Sequence, residues 1–170
     1  MSEPTLVVSA EQISERVAQL GREIRNESGT EPILLLCILK GTAVFLADLL
    51  RATRPPVSFD FIDVIRDAND TDAADALEID FLTHFDLRRK RVYLLKDVVS
   101  TGVIETYLMN QLRQRQPREL KLVALLDRTD LRTNALTVDY SAFAVKDGTF
   151  VGYGLEQEGQ YGQLPYLARL

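Results

Sequence analysis

Cysteine is all but missing from this sequence. Cys37 is the only one in 170 residues, so no disulfide can close within the chain. It lies in the apolar run ILLLCIL (33–39), where a thiol is expected to be a small buried hydrophobe and not a nucleophile. Histidine is as scarce: His84 stands alone in an expected loop, which reads as structural and not catalytic. No apolar run approaches the roughly 20 residues that span a bilayer, so no membrane partner is expected. The opening MSEPTLVVSAEQ has no basic stretch leading into an apolar block; no signal peptide is expected, and a cytoplasmic location is. Cations are outnumbered, 20 Lys and Arg against 25 Asp and Glu, and the net charge of −5 speaks against a general nucleic-acid surface. Repeats, low-complexity tracts and linkers are lacking too, and the length suits a single domain over 1–170.

What is present fits a soluble globular protein, 46% hydrophobic and 26% charged. Ser9 with Gln12 has the pattern of a capping box, and Ile13, Val17, Leu20 and Ile24 recur at helical spacing, predicting a helix over about 10–26. Ile33–Leu39 reads as a central strand, ended by LKGT. Val44, Leu46, Leu49 and Leu50 mark a second helix, stopped by Arg54-Pro55-Pro56. Val57–Ile65 is an expected strand, and Leu77–Leu82 an expected hairpin arm beside it. Between them DANDTDAAD (67–75) is an acidic, turn-forming loop. Leu120–Leu126, Val138–Val145 and Thr149–Tyr153 are further strands, the last two around the turn Lys146-Asp147-Gly148, with Tyr153 packed in the sheet. Arg88-Arg89-Lys90-Arg91 is expected to be a solvated turn. Strand–helix alternation in the middle argues for a parallel sheet, whose ligands bind at the carboxyl ends of the strands.

The stretch VYLLKDVVSTGVI (92–104) carries the first sign of chemistry. Val92–Leu95 has the composition of a buried strand, with Lys96 and Asp97 expected at its exit. Ser100-Thr101-Gly102 then turn into a helix running to about Gln116. Such a turn offers amides without intrahelical partners at the positive end of the helix, which suits an anion. By itself the pattern also fits an ordinary βα turn with a Ser/Thr cap.

LLKDVVSTG (94–102) resembles the phosphoribosyl-pyrophosphate (PRPP) motif of type I phosphoribosyltransferases: a hydrophobic run, two acids, two hydrophobics, then Asp-Thr-Gly. ILKGTAVFLADLLRA (38–52), LVALLDR (122–128), VDYSAFAVKDGTFVGYGLE (138–156) and LPYLARL (164–170) resemble the hypoxanthine-guanine branch in order and spacing, over nearly the whole chain. The resemblance implies an α/β fold of the phosphoribosyltransferase type I kind: a mainly parallel sheet flanked by helices, with a small hood from the C-terminal segment and the N-terminal residues. It implies transfer of the 5-phosphoribosyl group from PRPP to a 6-oxopurine such as hypoxanthine or guanine. Pyrophosphate leaves through an oxocarbenium-like transition state. Magnesium is the implied cofactor, the partners are PRPP and a purine base or nucleoside monophosphate, and the assembly is a homodimer or homotetramer.

By the same resemblance, pyrophosphate goes to Leu39, Lys40, Gly41 and Thr42, with a cis peptide at Leu39–Lys40. The 5′-phosphate goes to Ser100, Thr101, Gly102, Val103 and Ile104. The purine goes to Arg128, Thr149, Phe150 and Val151, and metal to Glu156 and, weakly, Asp97. Asp97 and Ser100 hold the catalytic positions. Several residues depart from the pattern. Ser100 replaces the aspartate that handles the purine N7 proton, and serine has no useful pKa near neutrality. Lys96 replaces the first acid, where an ammonium opposes a metal cation. Ile104 replaces a phosphate-binding threonine, Arg128 a lysine, and Glu156 an aspartate. Thr149 stands where an aromatic stacks on the base, with Phe150 one residue along. Gly162 falls where an arginine meets pyrophosphate. The flexible Ser-Tyr lid has no match in Asp63-Val64-Ile65-Arg66, and the acidic loop 67–75 lies there instead. Two readings follow: a purine-type transferase with a remodelled site, or a catalytically impaired, regulatory homologue that binds nucleotide or phosphate.

Overall fold

The computed structural model describes residues 3–54, 56–66, 77–81 and 86–170; the acidic stretch 67–75, Leu82 and His84 lie outside them. Chain order runs β1 (Thr5–Val8), α1 (Ala10–Ser28), β2 (Ile33–Ile38), α2 (Thr42–Ala52), β3 (Val57–Arg66), β4 (Leu77–Phe81), β5 (Arg91–Val99), α3 (Val103–Gln114), β6 (Glu119–Asp127), a 3-10 turn (Thr129–Leu131), β7 (Tyr140–Ala144), β8 (Phe150–Val151) and β9 (Leu167–Arg169). The main sheet has the order β4-β3-β2-β5-β6-β7. Its β3, β2, β5, β6 and β7 run parallel, and β4 lies antiparallel to β3, forming the expected hairpin arm. The hood is a separate sheet, β1-β9-β8, which joins the two ends of the chain.

Local sequence explains most of these elements. Helix α1 opens on its capping box: the Gln12 amide donates to Ser9 Oγ at 3.3 Å, and the Ser9 amide to Gln12 Oε1 at 2.9 Å. Strand β2 is buried throughout because both faces are covered. Its Ile33, Leu35 and Cys37 join the core under α1 and α2. Leu34, Leu36 and Ile38 join the core under α3. Burial pushes the Cys37 thiol up to about 12, with the Asp97 carboxylate adding to the rise and Lys96 opposing it, so the thiol is inert as expected.

Four expectations are corrected. Lys96 and Asp97 do not leave the strand; β5 continues to Val99 because β6 pairs with it as far as Asp127. Arg91 is no solvated turn residue. It begins β5 and donates to Glu31 and Glu119, while Arg88, Arg89 and Lys90 are exposed. The strand expected over 138–145 is shorter, Tyr140–Ala144, since the Asp139 carboxylate accepts from the Leu122 amide at 2.8 Å. Tyr153 lies not in a sheet but in a turn, at φ 51 between Gly152 and Gly154, and its hydroxyl donates to Asp48 on α2 at 2.7 Å. Strand β8 is thus only Phe150–Val151, and the Lys146–Gly148 turn carries the chain from one sheet to the other.

Candidate active site

Strand β2 ends at Ile38, whereas β5 runs on to Val99. Asp97 therefore projects beyond its neighbour, against the loop 39–42 that turns β2 into α2. That loop contains the cis Leu39–Lys40 peptide. Gly41 is required there by space: a Cβ would collide with Asp97 Oδ2 and lie 3.3 Å from the Gly154 carbonyl oxygen. Gly154, at φ +94, is fitted just as closely against the Gly41 carbonyl. Asp97 Oδ1 accepts from the Val98 amide at 2.7 Å and from Lys96 Nζ at 2.5 Å, both carboxylate and ammonium being mostly buried. Thr42, at the start of α2, has a buried hydroxyl with no partner among the described residues.

These groups border a cleft of about 490 Å³, lined by Lys40, Gly41, Asp97, Phe150, Glu156 and Gly162 among others. The hood supplies one wall, the carboxyl ends of β2 and β5 the other. Glu156 is exposed and folds over Gly162, where a Cβ would meet its Cγ at 2.8 Å. Magnesium commonly takes one or two carboxylates and completes its shell with water and substrate phosphate oxygens. Asp97 and Glu156 on one cleft fit that demand. Among the described residues no three acidic, His or Cys side chains cluster.

From Val99 the chain enters the turn 100–104. Gly102 sits at φ +80, and a Cβ there would lie 2.8 Å from Asn134 Oδ1 and 2.9 Å from Arg132 Cδ. The turn's carbonyls face inward and are bonded. Ser100 O accepts from Arg132 Nε at 3.0 Å, Thr101 O from the Thr133 amide at 3.1 Å, and Gly102 O from the Thr106 amide at 2.9 Å. Arg132 also bonds Asp127 and, at 3.2 Å, the Leu136 carbonyl. Among the described residues no protein acceptor takes the amides of Thr101, Gly102 or Ile104, and Val103 has only a 3.5 Å contact to Thr101 Oγ1. A turn with its carbonyls tied down and its amides free at the start of a helix can hold an anion.

The expected purine end is less assembled. Arg128 Nη1 donates to the Gly148 carbonyl at 3.2 Å and Nη2 pairs with Asp130 at 3.5 Å, while its Nε is buried without a partner. Its guanidinium pins the turn before Thr149 and does not line the cleft. Thr149 is exposed, and Val151 is fully buried in the hood, paired with Ala168. Phe150 is the member of that group on the cleft wall. The structure thus brings together Lys40, Gly41, Asp97, Phe150 and Glu156, and sets Ser100–Ile104 at the next turn of β5. Arg128, Thr149 and Val151 stand apart. Sequence reasoning missed Arg132, Gly154 and the buried Glu105; only the glycine in VGYG carried a readable signal.

Parallel sheet, hood and carboxyl-end cleft define a phosphoribosyltransferase-type α/β protein, and comparison places the chain within that class. Residues 8–158 match the phosphoribosyl transferase domain model, and the chain belongs to this family. It is 32% identical to a hypoxanthine-guanine phosphoribosyltransferase of Mycobacterium avium, over 98% of this chain and 85% of that one. It is 30% identical to the enzyme of the same name from Bacillus subtilis, over 97% and 92%. A crystal structure of a Bacillus anthracis hypoxanthine-guanine phosphoribosyltransferase with HEPES in its active site superposes at a TM-score of 0.91, with 30% identity and 97% of each chain covered.

Proposed function

We propose that this chain transfers the 5-phosphoribosyl group of PRPP to a 6-oxopurine, hypoxanthine or guanine, in purine salvage. The observation that carries the reading is the convergence of the 39–42 loop, Asp97 and Glu156 on one cleft, with the anion turn 100–104 opening from the end of the same strand β5. The 100–104 amides hold the 5′-phosphate and the 39–42 loop the pyrophosphate, so the ribose is gripped at both ends and its C1 is fixed. A base nitrogen lends its electron pair to a new C1–N bond as the C1–O bond breaks, and that bond's electrons leave on pyrophosphate. Phe150 packs the base. Asp97 takes the ribose hydroxyl side, held in place by Val98 and Lys96. Glu156 and Asp97 would hold magnesium, which when bound would neutralise charge on the leaving pyrophosphate. Lys96 competes for Asp97 and provides a fixed positive charge in part exchange. Ser100 cannot exchange a proton near neutrality, so the N7 proton passes to solvent, at a rate cost of about 10²–10⁴-fold.

The protein acts as a single-domain, cytoplasmic homodimer or homotetramer in this reading. The Lys96–Asp97 pair and the serine at position 100 favour one competitor, a nucleotide-binding homologue without turnover. Pyrophosphate release from PRPP, measured with hypoxanthine, guanine, xanthine and adenine in turn, separates the two. Release with the 6-oxo bases supports the transferase; nucleotide binding without release for any base selects the competitor.

A further inference from the structure

Glu105 is a buried acid that the reaction does not use. It stands one residue past the turn 100–104, in the first turn of α3, with 4% of its surface exposed. In β5, Val92 and Leu94 pack on the α3 side and Tyr93 and Leu95 on the other. Beyond Leu95, Asp97 turns towards Gly41, and Lys96 lies close enough to Glu105 for its charge to act on it.

The charges felt by Glu105 are Lys96 and Asp97 from β5 and Arg132 from the loop after β6, besides its own helix amide. Both cations are already committed. Lys96 Nζ is bonded to Asp97, and Arg132 to Asp127 and the carbonyls of Ser100 and Leu136. Glu105 is left with its own backbone amide and through-space attraction from the two cations. Burial holds its carboxyl above the usual glutamate range, and Asp97 pushes the same way, against its backbone amide, Lys96 and Arg132. A dianion arriving at the neighbouring turn adds like charge beside it, which favours the protonated form.

We propose that Glu105 takes up a proton from solvent when an anion binds at the 100–104 turn, so that phosphate binding and neutralisation of this carboxylate are one coupled event. The proposal rests on the assignment of that turn as the phosphate site. It makes the turn bind phosphate esters more tightly as pH falls, with Glu105 acting as a positioning charge that never touches the ligand.

The test is calorimetric titration of the intact protein with sulfate, in chelator and in two buffers of different ionisation enthalpy. Sulfate stays a dianion across the range, so its own titration does not contribute. The expected result is net proton uptake on binding, with affinity falling by up to about tenfold per pH unit as pH rises through the Glu105 titration. Glu105→Gln abolishes the uptake and keeps sulfate binding; His84→Asn keeps both, which removes the lone histidine as the source. Binding without uptake in the unmodified protein, or uptake that persists in Glu105→Gln, overturns the proposal and leaves the phosphate site standing. If Glu105→Gln does not fold, uptake that disappears in His84→Asn overturns it equally. Failure of sulfate to bind the turn at all overturns both readings.

Discussion

Two side chains, Lys96 near the end of β5 and Ser100 just beyond it, depart from the motif that LLKDVVSTG resembles. Lys96 pairs with Asp97 at 2.5 Å, and Ser100 follows where the turn begins. Ser100→Asp supplies a group that can titrate, and turnover with a purine base is expected to rise towards the roughly 10²–10⁴-fold that such catalysis contributes. Unchanged turnover with ligand binding intact would place the limiting step elsewhere. Lys96→Glu reverses the charge beside Asp97. At an effective dielectric of 20 a unit charge about 4 Å away is felt by roughly 4 kcal/mol, an upper guide in an open cleft. Calorimetric titration of PRPP with magnesium or chelator is expected to show weak magnesium dependence in the unmodified protein. Lys96→Glu is expected to depend strongly on the ion and to bind less tightly without it. Equal dependence in the two proteins would make Lys96 a structural partner of Asp97 alone. These positions were legible in the sequence because glycine and small hydroxyl residues mark the turns around them. Glu105 was not: a glutamate in a first helical turn reads as solvent-facing and dipole-matched, and only the packing of α3 on the sheet buries it.

At the scale of elements, pairing and close approach set what sequence periodicity could not. The length of β5 depends on β6 keeping register through Asp127, a contact with a strand about 30 residues away that no local pattern encodes. The extra length puts Asp97 beside Gly41. The Tyr153–Asp48 bond links hood to α2 across 105 residues, and Tyr153, read as the end of a strand, lies in a turn. Helices α1 and α2 meet at Gly21, where a Cβ would lie 2.7 Å from the Ala52 carbonyl carbon and 2.8 Å from its Cβ. Backbone cannot yield as a flexible side chain can. Gly21→Ala is expected to lower stability by about 1–3 kcal/mol, read as a shift in denaturant midpoint at constant slope. A neutral or stabilising result, as expected of a solvent-facing helical glycine, would show that α1 slides without cost.

For the whole molecule, the topology followed from its strand–helix alternation, and the hood from the likeness of its terminal segments to the family; both stand in the structure. The purine wall did not follow in the same way. Arg128 was assigned by position in LLDR, but its guanidinium is drawn to Gly148 and Asp130, partners supplied by loops whose course sequence does not dictate. The central claim is that the cleft between hood and sheet carries phosphoribosyl transfer. The most direct test is pyrophosphate formation from PRPP and guanine by the unmodified protein and by Gly41→Ala, with thermal melts of both. The added methyl would collide with Asp97 Oδ2 and crowd the Gly154 carbonyl, in the wall of the cleft. The account predicts pyrophosphate and nucleotide in equal amounts from the unmodified protein, and a loss of about tenfold or more in Gly41→Ala at little change in melting, since misplacement by about 1 Å can cost 10²-fold. No pyrophosphate from the unmodified protein, or turnover unaffected by Gly41→Ala, would contradict it.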